Sequence, residues 1–146
     1  DKLHTEYLTP VCSPLLLAGD KPIRQPEDLN QHTLLHDTSR KNWKEWIKLA
    51  GLKDVNVNQG PIFSHSSMVL QAAIHGQGVA LGHSVLAKPD IDSGRLVMPF
   101  NQVLVSKNAY YLVCREAQVE TPKIVTFRNW LLKTVKQEQE DMQIDG

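Results

Sequence analysis

Segments with helix-like and strand-like patterns alternate along most of the chain. The helix pattern is clearest in residues 42–52, where apolar side chains repeat at positions i, i+3, i+4 and i+7 and a glycine follows. These apolar residues are Trp43, Trp46, Ile47 and Ala50. Strand-like apolar runs lie at residues 33–36, 55–63, 79–81 and 109–114. Such alternation predicts an α/β fold with a largely parallel sheet.

Prolines set the limits of several predicted elements. Residues 5–17 form an extended segment that contains Pro10 and Pro14, which predicts a strand that lies at a sheet edge or ends near Pro14. A short helix that starts at residue 84 is expected to be cut by Pro89. Pro122 is placed to begin the last helix, whose apolar stripe consists of Ile124, Phe127, Trp130, Leu131 and Val135.

Composition narrows the class of protein. The 146 residues carry 16 Lys and Arg against 16 Asp and Glu, and 41% of them are hydrophobic. These values are typical of one soluble globular domain. The apolar runs, at residues 11–18 and 79–81, fall far short of the roughly 20 residues that cross a bilayer. A net charge of zero also argues against a free-standing nucleic-acid binder, which usually carries a basic surplus.

Residues 63–81 are the most informative stretch. They combine a strand end, a cluster of serines, a helical run, a Gly-x-Gly stop and a second short strand. Ser64 or Ser66 is placed to cap the helix, and the remaining free amides would face whatever lies beyond the strand. A small carboxylate ligand would suit that place. A purely structural capping role for these serines is an equally good interpretation.

Enzyme motifs are incomplete. Gly76 and Gly78 end a helix, whereas a dinucleotide fingerprint needs glycines between a strand and a following helix. Ser84 follows a short strand as the nucleophile of an α/β-hydrolase does, but Leu86 stands where a small residue is needed. No histidine follows His83 to complete a triad. We therefore expect no catalytic residue.

Metal and disulfide sites are also not expected. His32 and His36 have a spacing that suits metal ligands on a helix, but they lack the accompanying glutamate and lie partly in an extended run. Cys12 and Cys114 are expected to be reduced thiols, although one long-range bridge would be the alternative in a secreted chain. We expect neither a metal nor a cofactor.

The stretch at residues 63–81 resembles the effector-binding domain of LysR-type transcriptional regulators. The resemblance extends to residues 7–16, 26–29, 95–100 and 110–114, and so covers nearly the whole chain. Such regulators combine an N-terminal winged helix-turn-helix, a linker helix and a two-lobed sensor that resembles type 2 periplasmic binding proteins. The resemblance implies a lobe with a mixed, mostly parallel sheet flanked by helices.

The resemblance implies a division of the chain, which starts at Asp1 and is expected to be a piece of a longer protein. Residues 1–9 would be a crossover segment and residues 10–106 the second lobe. Residues 107–146 would return to the first lobe as a strand and a C-terminal helix, with the DNA-binding domain and most of the first lobe absent. The apolar stripe of the last helix would then lack its cover, which predicts self-association or a displaced helix.

The same resemblance implies a function. The effector of this family binds between the lobes, which points to Ser64, His65, Ser66 and Tyr110 and to a small amino acid, glycine, as ligand. Hydroxyls and a helix N-terminus can hold its carboxylate. The parent protein would be a cytoplasmic homo-oligomer that activates transcription and binds operator DNA through the absent domain. The alternative is a lobe of a solute-binding protein from a transport system.

Overall fold

Within residues 1–144, which the computed structural model describes, five strands share one sheet and four α-helices accompany them. The strands are β1 (Lys2–Val11), β2 (Leu34–Asp37), β3 (Ile62–Phe63), β4 (Val79–His83) and β5 (Leu104–Tyr111). The α-helices are α1 (Lys41–Leu49), α2 (Ser66–Ile74), α3 (Ser84–Asp92) and α4 (Pro122–Ile144). Short 3-10 helices span Pro14–Leu17, Pro26–Gln31 and Glu116–Gln118.

The sheet is mixed. Its strand order is β3-β2-β4-β1-β5, with β2 parallel to both β3 and β4 and with β1 antiparallel to β4. This confirms the α/β class with helices flanking a mixed sheet. Of the two alternatives for the first strand, an end near Pro14 is confirmed, because β1 ends at Val11 and Pro14 begins a 3-10 helix. The other alternative, an edge position, does not apply, because β1 lies between β4 and β5.

The chain divides into two compact units. The central unit is Tyr7–Ser106, and the terminal unit combines Asp1–Glu6 with the chain from Lys107 onward. Each unit is described below by itself.

The core of the central unit lies on both faces of its sheet. Leu34 and Val79 belong to one buried cluster, while their neighbours Leu35 and Ala80 belong to another. Successive side chains of a strand point to opposite faces, so each strand contributes to both clusters. Helix α1 supplies its predicted apolar face to the first cluster through Trp43, Trp46 and Ile47, and helices α2 and α3 supply Val69, Leu70, Ala72, Ala73 and Ala87 to the second.

Three predicted elements differ from the structure. Of the predicted strand at residues 55–63, Ile62–Phe63 alone is a strand. The side chains of Val55 and Val57 both pack against the first core cluster, which explains their alternating pattern, but neither residue is part of a strand. Helix α3 continues past Pro89 to Asp92. The last strand begins earlier than predicted, at Leu104, and ends at Tyr111.

Helix α4 begins at Pro122 as predicted and carries an exposed apolar stripe. Phe127 and Trp130 are 52% and 58% exposed, and their ring centroids lie 5.8 Å apart. Arg128, between them in sequence, forms an ion pair with Asp1 of the same unit. None of the helices within residues 1–144 has the length and apolar character needed to span a membrane.

Both cysteines are free thiols, as predicted. Cys12 is buried in the first core cluster and Cys114 is exposed. Burial raises the pKa of the Cys12 thiol to about 11. Cys12 therefore packs as a small apolar group rather than as a reactive thiolate.

Candidate functional site

Three parallel strands of the central unit end along the same edge of the sheet. Their last residues are Asp37 in β2, Phe63 in β3 and His83 in β4. Because β2 lies between β3 and β4, Asp37 is in the middle of this edge. Helices α2 and α3 begin just after β3 and β4. In open α/β sheets such an edge is the usual place for a ligand.

One carboxylate joins the starts of both helices. The Ser66 hydroxyl donates to Oδ2 of Asp37, and Nε2 of His83 lies 3.0 Å from the same oxygen. We call these three residues the Asp37 cluster. The side chains of Asp37 and His83 are 9% and 14% exposed. The other carboxylate oxygen, Oδ1, is buried and has no hydrogen-bond partner within the described residues.

The backbone next to Asp37 is strained. Thr38 has a φ of 55°, in the left-handed region that residues other than glycine seldom adopt. Its N–H donates to the carbonyl of Phe63 at 2.8 Å, which ties the end of β2 to the end of β3. Strain of this kind often marks functional sites.

The structure brings Ser64, His65 and Ser66 together at the start of α2. His65 is the N-cap residue, and its side chain makes no capping hydrogen bond. Its carbonyl accepts from the N–H groups of Met68 and Val69 at 3.1 and 3.4 Å. The amides of Ser66 and Ser67 come earlier in the chain and have no carbonyl partner within the helix, so they are the donors that a ligand could meet.

The prediction that Ser64 or Ser66 caps α2 is wrong. Ser64 pairs with its neighbour, Oγ lying 2.9 Å from Nδ1 of His65. Ser66 is already the first helical residue, and its hydroxyl bonds to the carboxylate of Asp37 instead. A capping oxygen must come from the N-cap residue, and His65 occupies that position.

Tyr110 lies in β5 of the terminal unit and is 37% exposed. Its hydroxyl donates to Oε1 of Glu6 at 3.3 Å, within the same unit. Burial raises the pKa of Tyr110, and the charge and hydrogen bond of Glu6 raise it further. The Tyr110 hydroxyl is therefore protonated at neutral pH and has a lone pair available besides the bond it donates.

His36 and Arg40 hold the loop that leads into β3. Nε2 of the buried His36 lies 2.7 Å from the carbonyl of Gln59, which can only accept, so Nε2 carries the hydrogen. The Arg40 guanidinium donates to the carbonyls of Val57, Gln59 and Gly60 at 3.3, 2.8 and 2.9 Å. These bonds fix the segment that delivers Ser64, His65 and Ser66 to the edge of the sheet.

His36 should make the central unit less stable in mild acid. Burial, the largest cause, lowers the pKa of His36 below its ordinary value of 6.5. The hydrogen bond to Gln59 raises it in part, and the nearby charge of Arg40 lowers it again. As the pH falls below about 6.5, the unfolded chain gains a proton that the folded chain does not, so stability decreases by at most about 1.4 kcal/mol per pH unit. At higher pH the contribution is constant.

Urea unfolding at pH 7.5 and 5.5 measures this effect. In His36→Gln, the decrease in the free energy of unfolding between these two pH values should be smaller than in the wild type, by at most about 1.4 kcal/mol. His75→Gln is the matched control, because that histidine is exposed. An equal pH dependence in wild type and His36→Gln would contradict the assignment.

The residues Asp37 and His83 were missed as site residues from the sequence. Both residues stand close to the ends of strand-like runs: Asp37 follows residues 33–36, and His83 lies two residues after residues 79–81. This position is a usable signal, because the ends of parallel strands share one edge. The order of the strands, which brings them together, could not be derived from the sequence.

Comparison with known proteins agrees with this architecture. Residues 1–136 match the family described as the LysR substrate binding domain. The glycine cleavage system transcriptional activator of Escherichia coli is 62% identical over 96% of this chain and 46% of its own length. The homologous activator of Haemophilus influenzae is 43% identical over 97% of this chain, again 46% of its own length. This chain thus spans about half the length of these curated relatives.

Solved structures show the same relationship. The effector domain of the transcriptional regulator AmpR of Pseudomonas aeruginosa superposes with a TM-score of 0.79 and 31% identity, over 98% of this chain and 68% of that one. The AmpR effector-binding domain of Citrobacter freundii gives a TM-score of 0.79 at 26% identity, over 94% of this chain and 67% of that one. The chain therefore belongs to the LysR family of transcriptional regulators and matches its effector-binding domain.

Proposed function

We propose that this chain is the effector-sensing part of a LysR-family activator that controls glycine cleavage genes in response to glycine. The observation that carries this proposal is the 62% identity to the E. coli glycine cleavage system activator over 96% of the chain. Residues 34–37, 60–66 and 103–109 are the segments that resemble this activator within the family. The match to a regulator family also favours this function over a lobe of a transport protein.

The domain assignment belongs to the same proposal. Residues 10–106 would form the second sensor lobe, with residues 1–9 as a crossover and residues 107–146 returning to the first lobe. The proposed second lobe, residues 10–106, is supported by the bounds of the central unit, Tyr7–Ser106. The length of the relatives leaves room for an N-terminal domain that binds operator DNA. We further infer that the whole protein is a cytoplasmic homo-oligomer.

The proposed effector site lies at the N-terminus of α2, with Ser64, His65 and Ser66 at its rim. The free amides and the positive end of the helix dipole favour the carboxylate of an amino acid. Helix α2 is nine residues long, so its dipole is developed over more than two turns. Tyr110 of the terminal unit is likewise proposed as an effector-binding residue.

Operator binding by the full-length protein, with and without glycine, tests this function. Glycine at millimolar concentration is expected to change operator affinity by about 5- to 150-fold, the usual range for allosteric coupling. Ser66→Ala should need roughly 10-fold more glycine for the same change, because one polar contact to the ligand is lost. Electrophoretic mobility shift titrations measure both effects.

Ser93→Ala is the matched control. Ser93 is the C-cap residue of helix α3, and its hydroxyl donates to the carbonyl of Asp90. This variant should respond to glycine as the wild type does. An operator affinity that stays the same at every glycine concentration would contradict glycine as the effector. Equal responses of Ser66→Ala and wild type would contradict the assigned site.

A further inference from the structure

The Ser66 hydroxyl donates its only hydrogen to another residue of the chain. Ser66 donates it to Oδ2 of Asp37, and a carboxylate oxygen offers lone pairs only. A hydroxyl has one hydrogen and two lone-pair positions. Toward any ligand at the start of α2, Ser66 therefore offers an acceptor and no donor.

The position of Asp37 keeps this arrangement fixed. Its side chain is 91% buried, since 9% of it is exposed, and His83 holds the same oxygen from the neighbouring strand at 3.0 Å. The second oxygen, Oδ1, is buried without a hydrogen-bond partner in the described part of the chain. A buried carboxylate with few donors attracts further ones strongly, so Ser66 gains nothing by rotating its hydrogen toward a ligand.

The negative charge of Asp37 favours the same ligand groups as the lone pairs of Ser66 do. The Asp37 carboxylate is hydrogen-bonded to the Ser66 hydroxyl and 9% exposed, so solvent screens its charge poorly. A positively charged N–H group of a ligand would be attracted by both the lone pairs and the carboxylate. A ligand carboxylate at the same oxygen would be repelled by both, and is better placed at the free amides of Ser66 and Ser67.

We propose that Asp37 is a specificity-determining residue: by taking the hydrogen of Ser66, it makes the effector site select a ligand that carries a protonated amine next to a carboxylate. This inference rests on the proposed effector site and narrows its ligand class to amino acids. Organic acids without an amine should bind more weakly, because they offer no cation for the Ser66 oxygen. Asp37 acts through Ser66 and need not touch the ligand.

Calorimetric titration of the full-length protein with glycine, glycolate and acetate tests the proposal. These probes share a small carboxylate, and glycine alone has the amine. The wild type should bind glycine about 10- to 100-fold more tightly than glycolate or acetate, the range for one charge-assisted hydrogen bond. In Asp37→Asn the preference should fall to a few-fold, because the neutral amide removes the charge and can donate to Ser66 in turn.

Further variants separate selectivity from folding. Ser66→Ala should lose the preference for glycine while binding glycolate as the wild type does, and Ser66→Thr should keep it, since threonine retains the hydroxyl. His83→Gln should also keep the preference, because the amide of glutamine can still donate to Asp37. Far-UV circular dichroism establishes that each variant is folded.

The outcomes distinguish this inference from the function on which it rests. If the wild type binds none of the three probes, both the proposed function and the inference fail. If the wild type binds glycolate as tightly as glycine, the effector site remains and the role of Asp37 is overturned. An equal loss of affinity for all three probes in Asp37→Asn and Ser66→Ala would show a merely structural role and would also overturn it.

Discussion

Replacing Trp46 with alanine is expected to lower the free energy of unfolding of the central unit by about 3–5 kcal/mol, the range for deleting a large buried aromatic side chain. Trp46 is fully buried, and its ring lies 5.7 Å from Trp43 in an edge arrangement and 5.9 Å from Phe100 in a stacked one. Its indole N–H donates to the carbonyl of Gln102 at 3.1 Å. The substitution thus opens a cavity and removes a buried hydrogen bond together.

Urea unfolding of the 146-residue chain, followed by far-UV circular dichroism, measures this effect without relying on tryptophan fluorescence. Trp130→Ala is a control of matched chemistry, since that side chain is 58% exposed and has little burial to lose. Its free energy of unfolding should change by less than about 1 kcal/mol. Equal losses for the two variants would mean that the first core cluster is not where the stability of the central unit resides.

The helix that carries Trp46 shows what sequence patterns can predict. Its apolar repeat places Trp43, Trp46 and Ile47 on one face, and these residues are buried in the structure. Amphipathic periodicity is a direct consequence of covering one face of a sheet, so it survives in the sequence. Helix α2 was predictable from its boundaries instead, with a polar cluster before it and Gly76 after it.

In the loop before β3, an alternating apolar pattern does not correspond to a strand. Alternation of Val55 and Val57 predicted a strand, and both residues are indeed partly buried against the core. The carbonyls of Val57, Gln59 and Gly60 bond to Arg40 rather than to a strand. A side chain that replaces a ladder partner leaves no periodic trace, so the local pattern could not reveal it.

The neighbourhood of the candidate site was predictable, but its hydrogen bonds were not. The serines and His65 before α2 pointed to the edge of the sheet where β2, β3 and β4 end, because helix N-termini and strand ends coincide in an α/β fold. The partner of Ser66 lies 29 residues earlier in the chain, at the end of a different strand. That pairing depends on the strand order, and it converts Ser66 from an expected cap into a partner of Asp37.

Removing the guanidinium of Arg40 should have the second large effect. In Arg40→Met the carbonyls of Val57 and Gly60 lose their guanidinium donor, and that of Gln59 keeps only its bond from His36. Hydrogen bonds to a charged group contribute more than neutral ones. We expect the free energy of unfolding to fall by about 2–4 kcal/mol, less than the sum of three such bonds because the exposed part of the loop regains water. Urea unfolding of the 146-residue chain measures it.

Two further variants decide between the guanidinium and a general effect of charge. Lys41→Met changes a neighbouring cation whose ion pair with Glu45 is exposed and 4.0 Å long, so it should cost at most about 1 kcal/mol. Arg40→Lys keeps the charge but cannot present a planar fork to carbonyls that accept from two different nitrogens, so it should recover only part of the loss. Because the loop leads into the residues before α2, Arg40→Met should also weaken glycine binding by the full-length protein. If Arg40→Met were as stable as Lys41→Met, the loop would not depend on Arg40.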